Sequence, residues 1–394
     1  MWLIQFYRGA RPSQQRDEGH AEVAELFSLS FSLRSLRSRR LILIQHTQDE
    51  IMTLLPANIG SFSKPIQQLW DYMNPCGLCP RKCKVNRSEG QIGFCGIGPL
   101  PVVSSVGPHF GEESVLVARP SWPCLHGLEA RATGGSGTIF FAGCNLGCIF
   151  CQNYDISHHR YGQQMTIEQL AQSMLELQNL GCININFVTP THVIAAIAAA
   201  IELARDKGLT IPTVYNTGGY DSVETLKLLE GLIDIYMPDM KYADPKVAKE
   251  LSSAPDYPQV NREAVREMHR QVGDLQIEKG FTAESAETAE KKQKIISACT
   301  AVKLRGLARR TSGGLATRGL LIRHLVLPEN LAGSFEIIDF LAKEISPKTA
   351  INVMDQYHPC YKAHLCPQIN RRPYPEEIES VRNYAIEKGL NVLT

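Results

Sequence analysis

The most regular feature of the chain begins near residue 137. Short β-rich apolar runs alternate with longer stretches in which apolar residues recur three and four apart. The apolar runs are GTIFFAG (137–143), INFVTP (185–190), IPTVYNT (211–217), IDIYMPD (233–239), LLIRHLVLP (320–328) and AINVMDQY (350–357), and they read as strands. Between them, TIEQLAQSMLELQNLG, HVIAAIAAAIELARDKG, SVETLKLLEG, NREAVREMHRQVG and SFEIIDFLAKEI read as amphipathic helices, and PEEIESVRNYAIEKG follows the last strand. Several of these close on glycine, which takes the left-handed C-cap without strain. Regular alternation of strand and helix predicts βαβ units on a parallel sheet. Six units fall short of the eight of a closed barrel. The expected fold is therefore α/β, a partial (β/α)6 parallel barrel over residues 134–394.

The rhythm fails in three places. Residues 1–61 have a biased composition, with Ser, Leu and Arg interleaved in FSLSFSLRSLRSRR, and read as an irregular extension. Residues 62–133 open on a short helix, PIQQLWDYM, and carry a dense group of cysteines, as a small Cys-rich N-terminal cap would. Residues 278–313 are rich in Ala, Glu and Lys and read as an insert before the fifth strand, either an isolated helix or an external loop. GGSG (134–137) precedes a strand and not a helix N-terminus, so it reads as a turn and not a phosphate loop.

Composition adds exclusions. A formal net charge of +1 gives no electrostatic footprint for nucleic acid or an acidic membrane. No apolar run approaches the ~18 residues of a membrane helix. No positive leader precedes the short apolar run at the N-terminus, so no secretory signal is expected. Of 12 cysteines, seven fall within 76–95 and 144–151. A chain this long forms a core without disulfide staples, so tight clusters point to metal sites in a cytoplasmic protein.

GCNLGCIFCQN places Cys144, Cys148 and Cys151 directly after the first strand, spaced C-x3-C-x2-C. Three thiolates within eight residues can wrap one corner of a metal cluster. Cubane clusters usually take four cysteines, so three leave one iron open to a ligand. Cys76, Cys79, Cys83 and Cys95 lie in PCGLCPRKCKVNRSEGQIGFCG. Four thiolates suffice for a closed structural zinc site or for a second iron–sulfur cluster, and spacing does not choose between them. Lys82, Lys84 and Arg87 would offset part of the thiolate charge.

The triplet, with Phe150 before its third cysteine, resembles the signature of the radical S-adenosylmethionine superfamily. VYNTGGY (214–220), DIYMPDMKY (234–242), LIRHLVLP (321–328) and NVMDQYHP (352–359) lie at strand ends. In order they resemble the cofactor-binding motifs of relatives of pyruvate formate-lyase activating enzyme. The resemblance implies a 4Fe-4S cluster on Cys144, Cys148 and Cys151 whose open iron chelates S-adenosylmethionine. It also implies one-electron cleavage of that cofactor to a 5′-deoxyadenosyl radical, which abstracts hydrogen from a substrate. It places Asn216, Met237, Asp239, Lys241, Arg323 and His358 at the cofactor, with the cofactor carboxylate as anionic partner of Arg323 and Lys241. Asn216 stands where those enzymes often have Asp, and VTPTH (188–192) stands where they carry Gly-Gly-Glu, leaving Thr189, Thr191 and His192 as substitutes. The implied partners are an electron donor such as flavodoxin or ferredoxin and a protein substrate. Activation of a glycyl-radical protein is the most specific reaction it implies. No catalytic residue is assigned. Cysteine clusters alone also fit an iron–sulfur electron-transfer protein or a metal-stabilised binding protein, but an electron carrier would need neither an open iron nor buried charges at strand ends.

Overall fold

In a computed structural model of the chain, which describes residues 59–118, 134–278 and 314–393, all six expected strands form. In chain order the strands are β1 (Val102–His109), β2 (Ser136–Phe141), β3 (Gln163–Gln164), β4 (Ile185–Val188), β5 (Thr213–Thr217), β6 (Ile235–Pro238), β7 (Gln276–Glu278), β8 (Leu315–Leu325), β9 (Ala350–Met354) and β10 (Asn391–Leu393). The helices are α1 (Lys64–Asp71), α2 (Tyr154–Ser157), α3 (Ile167–Asn179), α4 (Ile194–Asp206), α5 (Val223–Lys227), α6 (Pro245–Ser252), α7 (Tyr257–Val272), α8 (Ser334–Phe340) and α9 (Pro375–Glu387).

The sheet runs β10-β9-β8-β6-β5-β4-β2-β1-β3, and β7 pairs antiparallel with β8. From β2 to β10 every neighbouring pair on that path is parallel. The six expected strands therefore stand side by side in chain order. Right-handed crossovers that always step the same way put every helix on the same face, and a sheet covered on one face only curls around the other. This is the partial barrel that the strand count predicts.

Strand alternation separates the two faces. Ile139, Phe141, Ile185, Phe187, Tyr215, Tyr236, Leu320 and Ile322 join the buried helices in the main core. The intervening residues Val214, Ile235, Met237, Leu321 and Ala350 turn inward and pack against Val115 and Leu116. Those two belong to a strap that crosses from β1 to the inner face, and Asn184 Nδ2 donates to Leu116 O at 2.9 Å. Helix α4 is buried around nearly its whole circumference, because α3 and the cap helix α1 pack against it.

The cap is continuous with the barrel. Ile66, Leu69, Trp70, Met73 and Leu78 share one core with the barrel strands, and Ser63 N–H donates to Glu202 Oε1 on α4 at 3.0 Å. The apolar periodicity did not anticipate β1, β3, β7 or β10, nor the helices α2 and α6. Of GGSG, only Gly134 lies in a turn, while Ser136 and Gly137 already belong to β2, so the expected turn is shorter than read. The extension before residue 59 and the insert at 279–313 lie outside the described residues.

Candidate active site

The triplet leaves the C-terminal end of β2. The chain turns there at Gly143, whose φ is +79° and where a Cβ would stand 2.8 Å from Cys95 O. Only glycine fits so close a backbone approach. The loop is then gripped by the end of α6. Gly147 N–H donates to Ser252 O at 3.1 Å and Ile149 N–H to Leu251 O at 2.9 Å. Each sulfur has its own polar neighbour. Leu146 N–H donates to Cys144 Sγ at 3.3 Å, Ser252 Oγ donates to Cys148 Sγ at 2.9 Å, and Cys151 Sγ shares a 3.1 Å hydrogen bond with Ser157 Oγ.

Burial, then the neighbouring Cys148, pushes the Cys144 and Cys151 thiols above their usual range. Buried thiols this close are stable only as neutral S–H or bound to a cation that takes the protons' place. Among the described residues, no three side chains of His, Cys, Asp or Glu converge as the ligands of a single ion do. A cubane asks for a different arrangement, since each thiolate binds a different iron and the sulfurs surround a volume. One buried and two half-buried thiols, each with a polar neighbour at its sulfur, fit such a cluster.

The charged residues expected at strand ends form one buried group. Asp239, just past β6, bridges to Arg323 on β8. Its Oδ1 accepts from Arg323 Nε at 2.9 Å and Nη2 at 2.8 Å, and its Oδ2 accepts from Lys241 Nζ at 2.6 Å. Burial alone would raise the Asp239 carboxyl, but Arg323 and Lys241 outweigh it and hold it below the usual range. Asp239 thus gives Arg323 and Lys241 one shared anionic partner within the chain. Within this group one carboxylate is shared by two cations, and Glu113 and Glu112 also face Arg323. Lys241 is an electrostatic neighbour of all three triplet thiols, so this charge group sits beside the triplet.

The remaining expected residues divide. Asn216 is buried on the inner face, in register with Val188 and Met237, and its carbonyl accepts Thr189 N–H at 2.9 Å. Met237 is fully buried in the apolar floor with Leu321 and Ala350. His358 meets the triplet loop, its Nδ1 lying 3.3 Å from Gln152 Nε2, while its Nε2 is buried with no partner among the described residues. Of the three substitutes at VTPTH, two are occupied elsewhere. Thr191 Oγ1 bonds Thr217 at 2.9 Å and Asp221 at 2.7 Å, and His192 Nε2 donates to Ala142 O at 2.8 Å. Thr189 remains at the strand end with φ +62°, a strained value for a β-branched residue.

Sequence reading missed three contributors. Glu113, on the strap, accepts from Asn352 Nδ2 at 3.3 Å, and its Oε2 is buried with no partner among the described residues. Burial lifts its carboxyl, against the pull of nearby Arg323. Tyr257 and Asn261 on α7 hold the turn after β6. The Tyr257 hydroxyl and Asn261 Nδ2 lie 2.9 and 3.0 Å from Asp239 O, and the hydroxyl accepts Lys241 N–H at 3.1 Å. No local motif marks these three, since each becomes relevant only through its long-range partner.

The second group of cysteines forms a neighbouring knot. Cys76, Cys79, Cys83 and Cys95 feel one another electrostatically, and Phe94 N–H donates to Cys83 Sγ at 3.4 Å. Tight turns at Lys82 and Lys84, with φ of +42° and +58°, flank Cys83. Burial pushes the Cys79 thiol up to about 12. Burial likewise raises the Cys95 thiol, against the opposing charge of Arg87, which is itself buried and donates to His192 O at 2.7 Å and Gly98 O at 2.5 Å. The four thiols do not converge on a single-ion centre here, and ligand type alone admits either zinc or a second cluster.

The family model of the radical SAM superfamily matches residues 138–277. Uncharacterized protein MJ0674 of Methanocaldococcus jannaschii is 29% identical over 328 residues, covering 81% of this chain and 76% of that protein. Uncharacterized protein MJ0808 of the same organism is 24% identical over 336 residues, covering 82% and 81%. Among solved structures, Streptococcus suis SuiB bound to S-adenosylmethionine is similar at TM-score 0.39 and 12% identity, over 64% of this chain and 48% of SuiB. SuiB bound to its precursor peptide SuiA gives 0.38 and 13%, over 63% and 46%. The chain thus spans just under half the length of SuiB. The matched segment holds the first four parallel strands and all three triplet cysteines, so over residues 138–277 the chain carries a domain of the radical SAM type.

Proposed function

We propose that the protein cleaves S-adenosylmethionine reductively and abstracts hydrogen from a protein substrate, in the manner of an enzyme that activates a glycyl-radical protein. The observation that carries this reading is the Asp239, Lys241 and Arg323 charge group set beside the three triplet thiols at one barrel end. Cys144, Cys148 and Cys151 hold a 4Fe-4S cluster. Lys241 and Arg323, preset by Asp239, receive the cofactor carboxylate, and Asn216, Met237 and His358 line the same pocket. When bound, the cluster and cofactor supply one-electron cleavage of a C–S bond and, from it, hydrogen-atom abstraction. The chain itself excludes water with its apolar floor and fixes the charge that orients the cofactor. Glycyl-radical activation is supported by the order of strand-end motifs shared with activating enzymes.

Reductive cleavage requires a low-potential one-electron donor, and a flavodoxin or ferredoxin fits. The described cysteines are free thiols, as a cytoplasmic protein keeps them. No helix among the described residues is long and apolar enough to cross a membrane. The Cys76–Cys95 quadruplet holds a second metal in this reading, either zinc or an iron–sulfur cluster. Metal analysis of a Cys144/Cys148/Cys151 triple-Ala variant decides it. One zinc per chain identifies a zinc site, residual iron with sulfide identifies a second cluster, and neither removes the proposal.

The main test is chemical. The reconstituted, reduced protein is expected to convert S-adenosylmethionine to 5′-deoxyadenosine, and Cys148→Ala to lose both the brown chromophore and the conversion, since Ala provides no thiolate. Full 5′-deoxyadenosine formation by Cys148→Ala overturns the assignment.

A further inference from the structure

The two cysteine groups meet through Arg81. This residue lies midway between Cys79 and Cys83, yet its guanidinium reaches out of the quadruplet to the triplet loop. Nε donates to Asn145 O, inside the Cys144–Cys148 segment, at 2.8 Å. Nη1 donates to Ser253 O at 2.5 Å and Nη2 to Ser252 O at 3.3 Å. Those carbonyls terminate α6, where Ser253 turns left-handed at φ +54° and leaves the last carbonyls without helical partners. A cation at a helix C-terminus is favoured by the partial negative charge there. The guanidinium also lies over the Phe94 ring, 3.9 Å from its centroid. Phe94 precedes Cys95, and its N–H donates to Cys83 Sγ.

Arg81 therefore has its backbone and its nearer stacking partner in the quadruplet, while its hydrogen bonds end on both walls of the triplet loop and its other ring contact is Tyr220, 5.2 Å away. One of those walls is Ser252, whose hydroxyl donates to Cys148 Sγ at 2.9 Å. Hydrogen bonds to cluster sulfurs are among the factors that set a cluster's reduction potential. They favour the reduced, more negative state.

We propose that Arg81 is a positioning residue through which metal occupancy of the Cys76–Cys95 quadruplet sets the reduction potential of the Cys144–Cys151 cluster. The inference rests on the two metal sites proposed above. The occupied quadruplet fixes the turn bearing Arg81. Arg81 holds Asn145 and Ser252 in place, and Ser252 keeps its hydrogen bond to Cys148. The second metal acts by holding shape and exchanges no electrons in this scheme.

The test is a potentiometric titration of the full-length reconstituted protein, following the electron paramagnetic resonance signal that responds to added S-adenosylmethionine. Arg81→Ala is expected to lower the midpoint. At a poise where the parent cluster is half reduced, its reduced-to-oxidised ratio should fall about tenfold, or about 59 mV for a one-electron couple. Arg81→Lys keeps the charge but not the three-way fork, and is expected to shift nearly as far. Cys79→Ser should shift in the same direction, and the Arg81→Ala/Cys79→Ser double variant no further than either single change, because both break one linkage. If Arg81→Ala does not fold, Phe94→Ala replaces it and should give a smaller shift of the same sign. The link is overturned by an unchanged midpoint in Arg81→Ala or in its Phe94→Ala replacement, by full rescue in Arg81→Lys, or by an unchanged midpoint in Cys79→Ser. A parent protein that assembles no cofactor-responsive cluster overturns the proposed function as well, and is distinguished by iron and sulfide analysis before any variant is made.

Discussion

Asp239 neutralises one cation and is shared by two, so its removal has a cost that sequence alone understates. As a strand-end residue it appeared to be one of several cofactor contacts. In the fold it is the buried counter-ion of Arg323 and Lys241. Asp239→Asn takes the shared carboxylate from two largely buried cations, leaving Arg323 only Glu112 and Glu113 nearby, and breaking a buried pair costs up to about 3–5 kcal/mol. Denaturant unfolding should show that loss, and a variant within about 1 kcal/mol of the parent contradicts the shared-pair geometry. His192 gives a pH signature. Burial foremost, with Arg87 adding to it, lowers its imidazole to about 3, so it stays neutral in the folded chain. The unfolded chain takes up a proton near 6.5. His192 therefore contributes stability that is complete above that pH and is lost as pH falls from about 6.5 toward 3, at about 1.4 kcal/mol per unit. Comparing the parent with His192→Gln between pH 7.5 and 5.5 should show a steeper loss in the parent. Equal slopes would mean that the ring is protonated in the native state.

At the scale of elements, strands with a strong apolar run were legible. GTIFFAG, INFVTP and the others are buried on both faces, so propensity and burial agree and leave a continuous signal. Strands β1, β3, β7 and β10 were not legible. Two or three residues such as Gln163–Gln164 or Asn391–Leu393 become strands only because a neighbour offers its edge. Helix α6 is short, and what makes it matter, its free C-terminal carbonyls, appears only once the triplet loop folds onto it. The pairing of β7 with β8 also bears on the expected insert. Glu278 and Leu315 are direct cross-strand partners, so the two ends of 279–313 already stand side by side. Loop closure varies by only about 0.6 kcal/mol per doubling of length. Replacing 279–313 with a short Gly/Ser turn should leave both folding and cofactor cleavage intact. Loss of soluble protein or of 5′-deoxyadenosine formation would show that the segment has a structural or catalytic part.

At the scale of the molecule, the candidate site was legible in its parts but not in its assembly. The cysteine triplet is one contiguous motif and announces itself. Arg323, Asp239 and Lys241 were each visible as charges on apolar strands, yet which one neutralises which depends on register between β6 and β8. Glu113 and Arg81 arrive from segments with no strand-end motif, and only tertiary structure brings them in. The same architecture has a further consequence at its rims. A barrel that stops short of closure leaves two borders whose backbone groups could recruit strands from other molecules. Here one border ends on β3, two exposed glutamines long, and the other on β10, three residues long. Strands so brief make poor templates for intermolecular pairing, so the open architecture that leaves room for a substrate does so with little exposure to edge-to-edge aggregation.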